Sequence, residues 1–114
     1  MNSFQKLRLN KEFKRAYGRG KTFVDSAVVV YVLKTKTQEC RIGITTGKKL
    51  GCAVDRNRAR RVITAAFRAC LPDINVGCDI VFVARTRILR RKSTQIAEVI
   101  RKNLIEAGVC GEVI

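Results

Sequence analysis

The segment KKLGCAVDRNRARRVITAAFR, residues 48–68, carries seven Lys and Arg against one carboxylate, Asp55. At about 100° per residue, Ala59, Val62, Ile63, Ala66, Phe67 and Cys70 share one face of a helix. Asn57, Arg60, Arg61, Thr64 and Arg68 gather on the opposite face, with Arg56 and Arg58 on the flanks near the start. A generic solvated surface would mix Glu with Lys for i,i+4 pairing, yet no acid occurs between Arg56 and Arg68. Every cation in that interval is Arg, whose planar fork suits bidentate contact with phosphate. The N-terminal N–H groups and helix dipole favour the same ligand. The pattern predicts a helix anchored in a core on one side and neutralising a nucleic-acid backbone on the other.

The rest of the chain agrees with that reading. Its 24 Lys and Arg against nine Asp and Glu give a net charge of +15. Self-repulsion at that density destabilises a compact state, so a polyanionic partner is the economical explanation. With 114 residues, 46% of them hydrophobic, and one proline, the chain is expected to form a single nucleic-acid-binding domain over 1–114. MNSFQKLRLN lacks the apolar region of a secretory signal. The longest apolar run, Ala27–Leu33, is seven residues and too short to span a bilayer. A cytoplasmic protein with no membrane partner is expected. The five cysteines are odd in number and show no C-x-x-C spacing, and there is no histidine. They read as reduced thiols, mostly small core fillers.

The elements follow from local pattern. Asn10 reads as the N-cap of a short helix, KEFKRAY, with Phe13, Ala16 and Tyr17 on one face and Gly18 just past its end. A strand is expected over Thr22–Leu33, and its unbroken apolar run from Val28 calls for cover on both faces. RIGITT, residues 41–46, reads as a second strand, simplest as its antiparallel partner. The arginine helix ends before Pro72, and DIVFVAR, residues 79–85, forms a third strand. A last helix starts near Ser93 as N-cap, carries Ile96, Val99, Ile100 and Leu104 as its apolar stripe, and stops at Gly108. The order α-β-β-α-β-α, with room for an extra short strand, places the fold in the α+β or α/β class.

A strand precedes the arginine helix where a helix-turn-helix would need another helix, so RNA suits the pattern better than DNA. A sheet offers a platform on which Phe13, Tyr17 and Tyr31 can stack unpaired bases. Each of these aromatics, taken alone, reads as a core residue before it reads as a ligand contact. Imidazole acid–base chemistry is absent with histidine, and no paired carboxylates suggest a two-metal site. Any catalysis would therefore be performed by something else.

Taken together, RIGITTGKKLGCAVDRNRARRVITAAFR (41–68), LRLNKEFKRAYGRG near the start, Tyr31, and DIVFVAR before the last helix resemble the bacterial ribonuclease P protein component, in order and over nearly the whole chain. The resemblance implies a two-layer α/β sandwich of ribosomal-protein-like type, with a left-handed crossover around the arginine helix. General handedness rules predict the opposite hand. It also implies that a catalytic RNA, with magnesium bound mainly by that RNA, removes the 5′ leader of precursor tRNA. No catalytic residue, protein-ligated metal or obligate protein partner is implied. Lys48, Lys49, Arg56, Asn57, Arg58, Arg60 and Arg61 match the family's basic signature facing the RNA subunit, and Arg68 extends the same face. Phe13, Tyr17 and Tyr31 match the positions lining a leader-binding cleft.

The departures are Cys52, where the family often has a capping Asn, and Thr64, where a further Arg is common. RTRILRRK, residues 85–92, offers five cations that compensate for Thr64 or simply form a solvated linker. The alternatives are a structural RNA-binding protein of ribosomal type, without a processing role, and a DNA-binding module.

Overall fold

The computed structural model describes residues 1–111. In chain order the elements are β1 (Gln5–Lys6), α1 (Asn10–Arg19), β2 (Lys21–Val24), β3 (Val28–Lys34), β4 (Cys40–Thr45), α2 (Ala53–Cys70), β5 (Cys78–Ala84) and α3 (Ser93–Glu106). Short 3₁₀ turns occupy Lys48–Leu50, Leu71–Asp73 and Thr86–Arg90. The strands form one sheet in the order β1-β4-β5-β3-β2.

The most apolar strand takes the centre. Cys78 through Phe82 are all buried, as expected of a strand covered on both faces. This overturns the expected antiparallel pairing of residues 41–46 with the strand before them, because β5 inserts between the two. It pairs antiparallel with β3, placing Val30 opposite Phe82. Its other neighbour is β4, in parallel, with Ile42 beside Ile80. Helix α2 is thus the crossover of a parallel β4–α2–β5 unit. The expected single strand over Thr22–Leu33 is also corrected, to an antiparallel hairpin of β2 and β3. The cause is Asp25, whose Oδ2 accepts the Ala27 N–H at 2.9 Å and turns the backbone within two residues.

The sheet and the α2–α3 helix pair are the two main layers. Between them lie Val28, Val30, Val32, Ile42, Ile80 and Phe82 from the strands, against Ala59, Ile63 and Phe67 of α2 and Ile96, Ile100 and Leu104 of α3. Phe67 meets Phe82 edge-on at 5.8 Å between centroids. Arg101 ties the two helices together, pairing with Asp73 and donating to the Ala69 carbonyl at 2.9 Å. Helix α3 ends at Gly108, whose φ of 79° favours glycine.

Helix α1 lies across the opposite face, over Leu7, Val81, Tyr31 and Val83. It leaves Val29 and Leu33 half-buried, so the cover expected on both faces of β3 is only partial on this side. Its start differs from the capping expected at Asn10, which is instead the first helical residue. The orphan N–H groups of Arg8 and Leu9 are taken by Glu12 Oε1 at 3.2 and 2.9 Å, so the cap is filled from within the helix. Gln95 does the same for Lys92 N–H in α3, at 2.9 Å, one residue before the expected Ser93. Gly18 lies inside α1, and the helix closes at Gly20, where a Cβ would fall 2.6 Å from the Ala16 carbonyl oxygen.

Of the cysteines, four are buried and Cys52 is exposed. Cys52 occupies the N-cap of α2, where its Sγ donates to Asp55 Oδ2 at 3.5 Å but caps no backbone N–H of the helix. Asparagine there supplies the missing acceptor, so Cys52→Asn is expected to add about 1 kcal/mol of stability. In thermal denaturation this reads as a rise in Tm of roughly 4 °C.

Candidate nucleic-acid interface

The cations of α2 do not form the single row expected from the sequence. Arg58 and Arg61 face Arg91, Lys92, Ser93 and Thr94 across a groove of about 440 Å³. Arg60 and Arg68, with Thr64 between them, line a second cleft of about 260 Å³ at the sheet edge. The split follows from helical geometry, since Arg58 and Arg60 lie ~160° apart around the axis. Arg56 turns back, donating from Nε to the Gly51 carbonyl at 3.2 Å, and braces the start of the helix. Asn57, Lys48 and Lys49 are exposed, the two lysines in the turn leading into α2. Gly51 enables that approach, with φ of 135°.

The three aromatics come together on the α1 face. Tyr17 meets Tyr31 edge-on, with centroids 4.8 Å apart and planes at 74°. Tyr17 is 40% exposed, so ring surface remains for a ligand. Burial pushes its phenol above the ordinary value, keeping it a neutral hydrogen-bonding group at physiological pH. Phe13 lies over Gly43 of β4, where an added Cβ would stand 2.4 Å from its ring. Gly43→Ala is therefore expected to expel Phe13 from its seat and cost about 2 kcal/mol by overpacking. Chemical denaturation reads the loss, and the displaced Phe13 ring signals in an NMR spectrum locate it.

Helix α1 is held in place by an ionic triad. Arg41 forks onto buried Asp79, Nε to Oδ1 at 2.9 Å and Nη2 to Oδ2 at 2.8 Å, and its Nη1 pairs with Glu12. The Leu9 N–H above all, then the Arg8 N–H and Arg41, hold the Glu12 carboxyl below its ordinary range despite burial. Nothing in the sequence reading assigned these residues. The available signal was an acid, Asp79, opening an otherwise apolar strand, since buried charges demand partners. Phe4 and Leu7 at the sheet edge were equally unforeseen, whereas Arg91 and Lys92, beside Arg58 and Arg61, belong to the basic run 85–92 already noted in the sequence.

The family model for Ribonuclease P matches residues 1–108. The chain belongs to the ribonuclease P protein family. A ribonuclease P protein component of Clostridioides difficile strain 630 is 41% identical over 85 residues, covering 74% of this chain and 75% of its own. That of Clostridium botulinum strain Loch Maree is 35% identical over 105 residues, covering 91% and 95%. Among solved structures, the Staphylococcus aureus RNase P protein aligns with a TM-score of 0.80 at 30% identity, over 96% of this chain and 100% of that one. The Thermotoga maritima RNase P protein aligns at 0.77 and 27% identity, over 90% and 96%. The mixed α/β fold expected from the resemblance is that of the ribonuclease P proteins. This membership favours a ribonuclease P subunit over the structural RNA-binding alternative.

Proposed function

We propose that this ribonuclease P protein binds the catalytic RNA through α2 and its basic surroundings, and the single-stranded 5′ leader of precursor tRNA through the α1 face. Leader removal then leaves the mature tRNA 5′ end. The observation that carries this reading is one sheet bearing two unlike surfaces, with α2 packed on one face and α1 with Phe13 and Tyr31 on the other. Lys48, Lys49, Asn57, Arg58 and Arg61 offer charge and hydrogen bonds to folded RNA. Phe13, Tyr17 and Tyr31 offer ring faces to unpaired bases, each worth about 1–3 kcal/mol when stacked.

The chemistry is assigned to the RNA subunit with magnesium. Of the described acids, Glu12 and Asp79 are committed to Arg41, and Asp73 to Arg101. Among the described residues, no three potential ligands of the His, Cys, Asp or Glu type converge. The protein contributes fixed positive charge where RNA strands crowd, which lowers the metal concentration needed. A cytoplasmic setting accompanies an RNA partner, and no helix among the described residues is long and apolar enough to cross a membrane.

Cleavage of 5′-labelled precursor tRNA at low magnesium tests this reading, with bacterial ribonuclease P RNA alone, protein alone, and both. Activity only in the mixture is the expected result. Absence of stimulation, with the RNA active at high magnesium, overturns it. Cleavage by protein alone overturns the assignment of chemistry to RNA.

A further inference from the structure

Cys40 opens β4 and Cys78 opens β5, and the parallel register of the two strands sets them side by side. The next rung is Arg41 beside Asp79, which reaches Glu12 of α1. Side chains alternate along a strand, so the two thiols point the other way, into the core shared with α2 and α3, where both are buried. The Cys78 Sγ donates to the Cys40 Sγ at 3.8 Å. The other buried thiols donate to carbonyl oxygens instead, Cys70 to Ala66 at 3.5 Å and Cys110 to Gly111 at 3.7 Å. Strand β1 is two residues long and pairs with β4 from Arg41 onward, one residue past Cys40. A cleft of about 290 Å³ opens there between residues 1–5 and 38–40, with Cys40 in its lining.

Neighbouring strands run ~4.8 Å apart, inside the roughly 4.4–6.8 Å Cα separation that a disulfide spans. Closing the thiol contact to a bond of about 2.05 Å takes a shift of roughly 0.9 Å at each sulfur. The strands need neither separate nor change register. The two thiols are not equivalent. The hydrogen bond from Cys78 holds the Cys40 thiol below its ordinary value against the pull of burial, and the same bond holds Cys78 above it. Cys40, on the cleft side, is thus the attacking thiolate and Cys78 the resolving thiol. We propose that Cys40 and Cys78 are a reversible oxidation site, closed to a disulfide by a hydroperoxide and reopened by a dithiol, whose bond fastens the two strands framing the arginine helix. Attack of the Cys40 sulfur on hydrogen peroxide forms an S–O bond as the O–O bond breaks, leaving a sulfenic acid and hydroxide. The Cys78 sulfur then displaces that oxygen, which leaves as water with the Cys78 proton as the S–S bond forms. The Cys40 proton neutralises the hydroxide, so two thiols and one peroxide give one disulfide and two waters. The cross-link joins residues 38 apart in sequence and encloses all of α2, which constrains the unfolded chain. Disulfides in reducing compartments are typically transient and redox-sensing, in keeping with a bond that a dithiol reopens.

The test uses the full chain carrying Cys52→Asn, which removes the exposed thiol. Reduced, folded protein is treated with hydrogen peroxide, the remaining thiols are blocked with N-ethylmaleimide, and the peptides are mapped by mass spectrometry. Cys40 and Cys78 are expected to disappear together into one linked peptide, about 10-fold faster than Cys70 and Cys110 react, and dithiothreitol should restore both. In urea all four thiols should react alike, which ties the selectivity to the fold. The linked form is expected to melt about 5 °C or more above the reduced one. Consumption of all four thiols at one rate in the folded protein overturns the site, as does Cys40 driven to sulfinic acid with Cys78 still free. A linked form that melts no higher than the reduced one overturns the fastening.

Discussion

Replacing Asp79 with alanine is expected to cost about 3 kcal/mol, the low end for breaking a buried ion pair by removing one partner. Asp79 is 1% exposed, whereas Arg41 keeps 28% of its side chain accessible, so water relieves part of the stranded charge. Against a typical total of about 5–15 kcal/mol, that lowers Tm by more than about 10 °C. Asp79→Asn, which keeps an acceptor in place, is expected to lose less. Urea denaturation checks both, and a loss under about 1 kcal/mol for the alanine variant would show that Glu12 and solvent compensate Arg41. A pH dependence accompanies the triad. Because the folded-state pKa of Glu12 is lowered, its contribution is fully present above the ordinary Glu value of about 4.3. It is lost as pH falls through the depressed folded value. Glu12→Gln should flatten this acid limb of the stability curve.

The double substitution Arg58→Ala/Arg61→Ala is expected to weaken binding to the ribonuclease P RNA on the order of 50-fold at physiological salt. The log–log salt slope should fall by about 2, one for each phosphate contact removed. Both side chains are exposed, so folding should survive and a circular dichroism melt should match wild type. The corresponding Lys variants retain the charge and should restore most of the slope, though not the bidentate geometry. Filter binding across a salt series decides the matter. An unchanged slope in the alanine variant would mean that the groove shared with Arg91 and Lys92 does not meet phosphate.

The buried face of α2 was legible in the sequence because helical periodicity is local: Ala59, Ile63, Ala66, Phe67 and Cys70 are all buried. The stripe of α3 and the stop at Gly108 were legible for the same reason. Strand order was not. Val28–Leu33 and Cys78–Ala84 are similarly apolar, and which of them is central depends on pairings across more than forty residues. The Asp25 turn was hidden inside a run of strand-forming residues. At the proposed interface, motif order singled out Arg58, Arg60 and Arg61, but a face drawn on a helical projection cannot say which neighbours flank it. The division of the arginines depends on where β4 and the start of α3 come to rest. The Arg41 triad lay out of reach because its three charges come from α1, β4 and β5, joined only by the finished sheet.

The two basic rows of α2 share one unbroken helix of 18 residues, so their relative bearing is set by residue count alone. The helix works as a jig: whatever grips Arg58 and Arg61 is presented at a constant angle to whatever grips Arg60 and Arg68. A one-residue insertion between Arg61 and Arg68 would leave every cation in the chain and still turn Arg68 by about 100° from its station. Composition, charge and salt slope would hardly register such a change. Alignment between the two basic surfaces would be lost.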